Sequence, residues 1–189
     1  LPISGCGGAR TYPGTVPHPS ADALARAESR IALTPDFPKP GILFRDIAPM
    51  LADADALADV TAALAAPFEG DFDLVAGVEA RGFLLAGTVA ASTGTGLLPI
   101  RKAGKTPNPT ASVDYALEYD VATIEASGDL SGRRVLLVDD VLATGGTLVA
   151  AIDLVERLGG TVAGVAVVLE LTDLGGRDRV PTTHAVFTA

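Results

Sequence analysis

Cysteine, histidine and aromatic residues are scarce in this sequence, and each shortage narrows the possible function. The single cysteine, Cys6, excludes an internal disulfide framework and fits a reducing compartment. The two histidines, His18 and His184, lie near the termini, which disfavours histidine-based metal binding or catalysis. No apolar stretch approaches the ~18 uncharged residues that cross a bilayer. The 189 residues, 48% hydrophobic but without tryptophan, therefore predict one Ala/Val/Leu-rich globular domain.

Positive charge is also scarce, and its position along the chain is informative. The net charge of −9 argues against a general nucleic-acid binder, which needs cations to displace phosphate counterions. From Val75 to Val113 the only acidic residue is Glu79. The cations between Asp46 and Gly132 all fall in that stretch: Arg81, Arg101, Lys102 and Lys105. Such a basic cluster indicates capture of a small polyanion, although a solvated surface patch is the alternative.

The most informative segment is Val135–Thr147, with the sequence VLLVDDVLATGGT. Its first four residues are apolar and predict a buried strand, with Asp139 and Asp140 at the carboxyl end of that strand. A short loop, Val141–Gly146, follows, and an amphipathic run after Thr147 predicts a helix to Leu158. The N–H groups that are free at a helix N-terminus attract anions, so this arrangement favours a phosphate site.

The acidic pair constrains what else the ligand of this segment contains. Asp139 and Asp140 would repel a phosphate, so we expect them to face hydroxyl groups or a hydrated cation beside it. Thr144 and Thr147 offer hydroxyl donors to the phosphate itself. A ligand with a phosphate at one end and a diol nearby satisfies both halves, whereas the alternative is an ordinary glycine-rich strand–helix turn.

The rest of the chain predicts strands that alternate with helices. We expect a flexible tail over residues 1–20 and a single domain over 21–189. The predicted helices are 21–33, 54–66 with Asp53 as N-cap, and 83–92; the further predicted strands are 74–78, 97–101 and 161–171. Alternation of this kind predicts an α/β fold with a doubly wound, mainly parallel sheet and flanking helices. The loops 79–82, 101–105 and 139–146 should then converge on one cleft, and 105–115 is expected to be a long mobile loop.

The Val135–Thr147 segment closely resembles the phosphoribosyl pyrophosphate (PRPP) motif of type I phosphoribosyltransferases. The resemblance implies the type I phosphoribosyltransferase fold, and it implies that two groups of residues hold PRPP. Asp139 and Asp140 would bind the ribose hydroxyls. The 5′-phosphate would be cradled by Ala143, Thr144, Gly145, Gly146 and Thr147.

Further blocks resemble the adenine phosphoribosyltransferase family, in the right order along the chain. They are Phe37–Asp46 (FPKPGILFRD), Glu79–Phe83 (EARGF), Ile100–Lys102 with Lys105, Leu117–Tyr119 (LEY) and the terminal LELTDLGGRDR. The matching blocks span roughly residues 36–179. The resemblance implies that adenine and PRPP are converted to AMP and diphosphate in purine salvage, with Mg²⁺ as cofactor.

The family resemblance also assigns roles to individual residues. Phe44 would stack on adenine while the main chains of Leu43 and Arg45 read its edge. Glu118 and Arg81 would be catalytic, with Tyr119 locking a mobile lid (about 103–128) and a small N-terminal hood over about 21–50. The diphosphate group would be bound by Glu79, Ala80, Arg81, Arg101, Lys102 and Lys105, with a non-proline cis peptide at Glu79–Ala80. No direct protein ligand to Mg²⁺ is implied, because PRPP and water would hold most of the ion.

The resemblance further implies a cytoplasmic homodimer with neither nucleic-acid nor membrane partners. Asp120 departs from the family pattern, since glycine is expected after the lid tyrosine. Three alternatives stay open: the same transfer to hypoxanthine, xanthine or orotate; a PRPP-sensing regulator that keeps the fold; and PRPP synthesis. The regulator would need an added DNA-binding helix pair or a broad basic face, and a synthetase would need an ATP site and usually a longer chain.

Overall fold

The computed structural model describes residues 18–116 and 121–189. The helices there are α1 (Ala21–Glu28), α2 (Ala48–Leu51), α3 (Ala54–Ala65), α4 (Arg81–Thr93), α5 (Gly146–Arg157) and α6 (Gly176–Arg179). The strands are β1 (Ala32–Pro35), β2 (Leu43–Asp46), β3 (Leu74–Val78), β4 (Gly96–Lys102), β5 (Ala111–Ala116), β6 (Val121–Ala126), β7 (Arg134–Leu142), β8 (Thr161–Glu170) and β9 (Thr183–Thr188). None of these helices is long and apolar enough to cross a membrane.

The strands of the described residues form a large sheet and a small one. The large sheet has the order β5-β6-β4-β3-β7-β8-β9. Its neighbours from β4 to β9 run parallel, while β5 and β6 form an antiparallel ribbon at the β4 edge. The small sheet pairs β1 with β2 in antiparallel register, from Ala32 opposite Asp46 to Pro35 opposite Leu43. The predicted mainly parallel α/β sheet is therefore confirmed.

Strand β7 shows why its apolar run is continuous rather than alternating. Successive side chains of a strand point to opposite faces, and helices cover both faces of this sheet. Val135 and Leu137 pack with the buried residues of α5, whereas Leu136 and Val138 pack with those of α3 and α4. All four side chains are 0% exposed. The sheet is thus doubly wound, as the alternating pattern predicts.

Helix α4 approaches the sheet closely because glycines stand at the contact. A Cβ on Gly77 would lie 2.6 Å from Ala86 Cβ and 2.7 Å from the Gly82 carbonyl oxygen. A Cβ on Gly82 would lie 2.9 Å from Asp139 Oδ1 and 3.0 Å from the Val138 carbonyl oxygen. The first turn of α4 is therefore seated directly on the carboxyl end of β7, where the acidic pair lies.

Several local predictions are confirmed and others are wrong. Strand 74–78 and the helix capped by Asp53 form as expected, with the Asp53 carboxylate accepting from Ala56 N at 3.1 Å. The predicted helix 21–33 is wrong beyond Glu28, because Ala32–Pro35 pair with β2 and Pro35 is unfavourable for a continuing helix. The predicted loop 105–115 is wrong from Ala111 onward, because these residues pair with β6. Strand β9 was not predicted, and most of the predicted tail, residues 1–17, lies outside the described residues.

Candidate active site

The carboxyl ends of β3, β4 and β7 meet at one edge of the sheet and enclose a cleft. Its larger cavity has a volume of about 300 Å³. Three parts of the chain line most of it: Glu79–Arg81 after β3, Lys102 at the end of β4, and residues 139–141 with 143–148 from β7 into α5. Tyr115 on β5 contributes a further wall. The predicted convergence of these loops on one cleft follows from the parallel order of the strands.

The loop before α5 presents backbone donors to this cavity. Helix α5 begins at Gly146, and Gly145 occupies the N-cap with a φ of 80°, a conformation that favours glycine. No side chain caps this helix, and its first turn contains no acidic residue. The first N–H groups of a helix have no partner inside the helix, so those of α5 are available to an anion. This geometry suits a phosphate group.

Asp139 and Asp140 lie inside β7 rather than after its end, since the strand extends to Leu142. Both residues are only 8% exposed. Asp140 donates its backbone N–H to Asp139 Oδ1 at 2.8 Å. Burial raises the pKa of Asp139 well above its ordinary value of 3.8, and the neighbouring Asp140 carboxylate raises it further. Two carboxyl groups thus stand side by side at the wall of the cavity, and Asp139 retains its proton to a higher pH than a free aspartate does.

Arg81 contacts the Asp139–Asp140 pair and also lines a second cavity. Its guanidinium group lies 2.7 Å from Asp140 Oδ2 and 5.4 Å from the centre of the Phe44 ring. The second cavity, of about 110 Å³, is bounded by these three residues together with Val141 and a mainly apolar set: Ile42, Leu43, Arg45, Ile47, Leu169 and Leu171. Phe37 packs edge-on against Phe44 with ring centres 5.1 Å apart. A flat apolar ligand fits this setting.

The turn after β4 carries the remaining cations and is held by a carboxylate. Glu79 accepts from Lys105 Nζ at 2.5 Å and from the Lys102 backbone N–H at 3.0 Å. These two bonds hold the pKa of Glu79 below its ordinary value, the Lys105 ammonium contributing most. Arg101 donates to the Lys105 carbonyl oxygen at 2.7 Å. The peptide between Glu79 and Ala80 is cis.

Comparison with known proteins identifies the family. The phosphoribosyl transferase domain model matches residues 47–187. An adenine phosphoribosyltransferase of Saccharopolyspora erythraea is 58% identical over 173 residues, covering 89% of this chain and 94% of that protein. One of Clavibacter sepedonicus is 54% identical over 184 residues, covering 95% of each chain. The chain belongs to the adenine phosphoribosyltransferase family. Because the chain belongs to this family, a PRPP-sensing regulator and a PRPP synthetase are no longer leading interpretations of its function.

Solved structures of adenine phosphoribosyltransferases share the fold over nearly the whole described chain. The enzyme of Rhodothermus marinus superposes with a TM-score of 0.84 at 44% identity, covering 90% of this chain and 100% of that one. The enzyme of Giardia lamblia, solved in complex with 9-deazaadenine, gives a TM-score of 0.82 at 37% identity, covering 88% and 97%. The fold assigned from the sequence is therefore that of the family.

The structure brings most of the residues predicted for an adenine phosphoribosyltransferase site to the two cavities. The larger cavity is lined by Glu79, Ala80, Arg81, Lys102, Asp139, Asp140, Ala143, Thr144, Gly145, Gly146 and Thr147. Leu43, Phe44 and Arg45 line the smaller one. Arg101 and Lys105 line neither cavity: Arg101 donates to the Lys105 carbonyl oxygen, and the Lys105 ammonium group pairs with Glu79. Glu118 and Tyr119 lie outside the described residues.

The cavities also contain residues that the sequence prediction missed. Tyr115 and Leu148 line the larger cavity, and Ile47, Leu169 and Leu171 line the smaller one. The end of β8 could have been found, since the carboxyl end of any parallel strand beside β7 reaches the same edge. Tyr115 gave no such signal, because β5 belongs to the antiparallel ribbon.

Proposed function

We infer that this member of the adenine phosphoribosyltransferase family transfers the phosphoribosyl group of PRPP to adenine, giving AMP and diphosphate in purine salvage. The enzyme is thus a pentosyltransferase. The observation that carries this conclusion is the pair of adjoining cavities, which share Arg81, Asp140 and Val141 as a common wall. A phosphorylated sugar in the larger cavity and a base in the smaller one would meet at that wall.

We propose that adenine occupies the smaller cavity. Phe44 would stack on the purine ring, and the main chains of Leu43 and Arg45 would hydrogen-bond its N1/N6 edge. A carbonyl oxygen that accepts from the 6-amino group disfavours hypoxanthine and guanine, because their 6-oxo group leaves that carbonyl unpaired. The small sheet β1–β2, which carries Phe44, would form part of the N-terminal hood.

In the larger cavity, the loop 143–147 would bind the 5′-phosphate, and Asp139 with Asp140 would bind the ribose hydroxyls. The C1–diphosphate bond breaks as N9 attacks, so negative charge grows on the leaving group. Arg81, Lys102 and the Glu79–Ala80 backbone are placed along the wall where diphosphate would lie. Arg101 and Lys105 would join them only after exchanging their present partners.

The proton lost from N9 needs an acceptor, and we propose Glu118 for this role. Replacing Glu118 by alanine should lower kcat by about 10² to 10⁴, the usual contribution of a general base, while the melting temperature stays unchanged. Replacing Arg81 by alanine should lower kcat strongly as well. Unaltered steady-state rates in both variants would refute these assignments.

Mg²⁺ is proposed as the cofactor, carried into the site by PRPP. The carboxylates of Asp139 and Asp140 line the cavity beside the loop 143–147, where they would accept hydrogen bonds from the waters that such an ion keeps. Within residues 18–116 and 121–189, no cluster of three or more acidic, histidine or cysteine side chains surrounds a common point. When bound, the ion would neutralise charge on the departing diphosphate.

We also propose a homodimer that acts in the cytoplasm, on the basis of the family resemblance. Light scattering during size-exclusion chromatography should give twice the chain mass of 19.1 kDa. A mass of one chain at micromolar concentration would refute the dimer. The single cysteine is compatible with a reducing cytoplasm.

A coupled diphosphate-release assay with PRPP and Mg²⁺ tests the reaction and the base together. The bases compared are adenine, hypoxanthine, guanine, xanthine and orotate. Release with adenine alone is expected. Release only with another base would keep the PRPP site and overturn the role of Leu43–Arg45. Binding of PRPP without release for any base would overturn the proposed transfer.

A further inference from the structure

Glu125 is a buried carboxylate close to the proposed diphosphate site that has no role in the mechanism above. It lies on β6 and is 5% exposed. Its Oε1 atom accepts from the backbone N–H groups of Lys105 at 2.9 Å and of Thr106 at 2.7 Å. These bonds hold the pKa of Glu125 below its ordinary value, Thr106 contributing most. The side chain is therefore ionised at neutral pH.

The position of Glu125 links three parts of the molecule. Across the sheet it stands opposite Arg101 on β4 and opposite Ser112 on β5. The turn between these two strands, residues 103–110, therefore folds back over the end of β6. Glu79 accepts hydrogen bonds from the Lys102 backbone and the Lys105 ammonium group. Glu125 accepts from the backbone N–H groups of Lys105 and Thr106. One carboxylate after β3 and one on β6 thus hold the same basic turn.

A carboxylate next to a polyanion site is unfavourable unless it stabilises the local backbone better than a neutral side chain would. Burying it costs solvation, and its charge opposes that of diphosphate. Two charge-assisted hydrogen bonds to backbone N–H groups offset this cost, since such bonds are stronger than neutral ones. The bonds converge on a single oxygen atom and so define the conformation of the turn at Lys105 and Thr106.

We propose that Glu125 is a positioning residue for diphosphate binding. It holds the 103–106 backbone so that Lys102 and Lys105 meet the diphosphate of PRPP without first having to order the turn. The inference rests on the proposed function, because it assigns the turn to the diphosphate. Glu125 contacts no substrate in this scheme, and its effect passes through the backbone of the turn. Loss of the carboxylate should thus weaken every ligand that contains diphosphate and leave adenine binding unchanged.

Three substitutions at one position separate this role from a general loss of stability. Glu125→Gln keeps an oxygen at the Oε1 position and can accept both N–H groups. Glu125→Ala removes the acceptor, and Glu125→Asp withdraws it by one methylene. Asp129→Ala is the control, because Asp129 also accepts a backbone N–H in a turn, from Ser131 at 2.9 Å, but precedes β7 at the end opposite the cleft.

The measurements are KM for PRPP, KM for adenine, inhibition by diphosphate, and the melting temperature. Calorimetric titration of PRPP with Mg²⁺ in the absence of adenine adds a readout that does not require turnover. Glu125→Ala and Glu125→Asp should raise the dissociation constant for PRPP and the inhibition constant for diphosphate by roughly tenfold to a hundredfold. KM for adenine should change by less than about twofold, and Glu125→Gln, which keeps the acceptor but loses the charge, should weaken PRPP binding less than Glu125→Ala and Glu125→Asp do.

Several results would overturn the proposal. Unchanged PRPP binding in Glu125→Ala would remove the positioning role, and so would equal losses for PRPP and adenine. The same losses in Asp129→Ala would assign the effect to stability. If Glu125→Ala does not fold, PRPP binding is compared between Glu125→Asp and Glu125→Gln. Unchanged binding in Glu125→Asp would then refute the positioning role. A wild type that binds PRPP but transfers it to no base would refute the proposed reaction and leave the titration result for Glu125 intact.

Discussion

Replacing Asp139 by asparagine should stabilise the free protein and weaken its binding of PRPP. Asp139 is 8% exposed and adjoins Asp140, so its ionised form is disfavoured by burial and by like charge. Asparagine keeps an oxygen that can accept the Asp140 N–H, a bond of 2.8 Å in the structure. The substitution therefore removes the charge and retains the shape and the local hydrogen bond.

The expected gain in stability and the expected loss of PRPP affinity can each be given a magnitude. A single stabilising substitution commonly adds about 0.5–2 kcal/mol of stability, and we expect a gain in this range for Asp139→Asn. For a chain of this length each kcal/mol raises the melting temperature by about 2–4 °C. A hydrogen bond from a ribose hydroxyl to a carboxylate is worth about 1.5–3 kcal/mol. Its conversion to a neutral bond should thus raise the dissociation constant for PRPP by roughly tenfold or more.

Thermal unfolding and calorimetric titration of PRPP with Mg²⁺ measure the two effects on the same samples. Asp139→Ala serves as a control, because it removes the acceptor as well as the charge and should lose the gain in stability. A lower melting temperature for Asp139→Asn would show that the charge stabilises the fold. Unchanged PRPP affinity would refute the assignment of Asp139 to ribose.

The stabilisation should depend on pH in a defined direction. A carboxyl group whose folded pKa is raised binds more protons in the folded state between its ordinary pKa of 3.8 and the folded value. Stability of the wild type is consequently lost as the pH rises through the folded pKa. The advantage of Asp139→Asn should be full above the folded pKa of Asp139 and shrink on acidification through it. A difference independent of pH would contradict this origin.

Three further predictions concern base binding, packing and acid stability. Phe44→Leu should raise KM for adenine about tenfold through lost stacking, with PRPP binding unchanged; equal effects on both substrates would contradict the base site. Gly82→Ala should lower stability by about 1–3 kcal/mol, because its Cβ would lie 2.9 Å from Asp139 Oδ1. Gly87→Ala, on the same helix with nothing within 4 Å of the new Cβ, should instead be neutral or stabilising, and equal melting temperatures would refute the packing argument. Burial lowers the pKa of His184 below 6.5, so stability should fall as the pH drops through 6.5 towards the folded value; His184→Gln should flatten that dependence.

The sequence predicted the parts of the fold whose signals are local. The apolar run of β7, the Asp53 cap and the helix predicted to end at Leu158 depend on neighbouring residues, and each appears close to where it was expected. The failures involve long-range pairing. Ala32 and Leu33 end a stretch with helical spacing but pair with β2, and residues 111–116 follow two prolines but pair with β6. Neither partner can be identified from periodicity over so few residues.

The grouping of the candidate site residues was predicted, but their individual contacts were not, for a related reason. Residue types and the strand-end rule brought the acidic pair, the phosphate loop and Arg81 to one cleft. They did not reveal that Arg81 would contact both Asp140 and Phe44, or that Lys105 would pair with Glu79. These choices among partners depend on distances between loops, which a linear pattern does not contain.

The internal pairing of the cleft has a consequence for selectivity among anions. In the free protein Arg81 is matched by Asp140 and Lys105 by Glu79, at 2.7 Å and 2.5 Å. A small inorganic anion that attracts one of these cations must separate it from a carboxylate and gains a single contact in exchange. A ligand with two linked phosphates and a sugar diol can compensate both carboxylates and both cations together. The resting enzyme should therefore discriminate against free phosphate and sulfate.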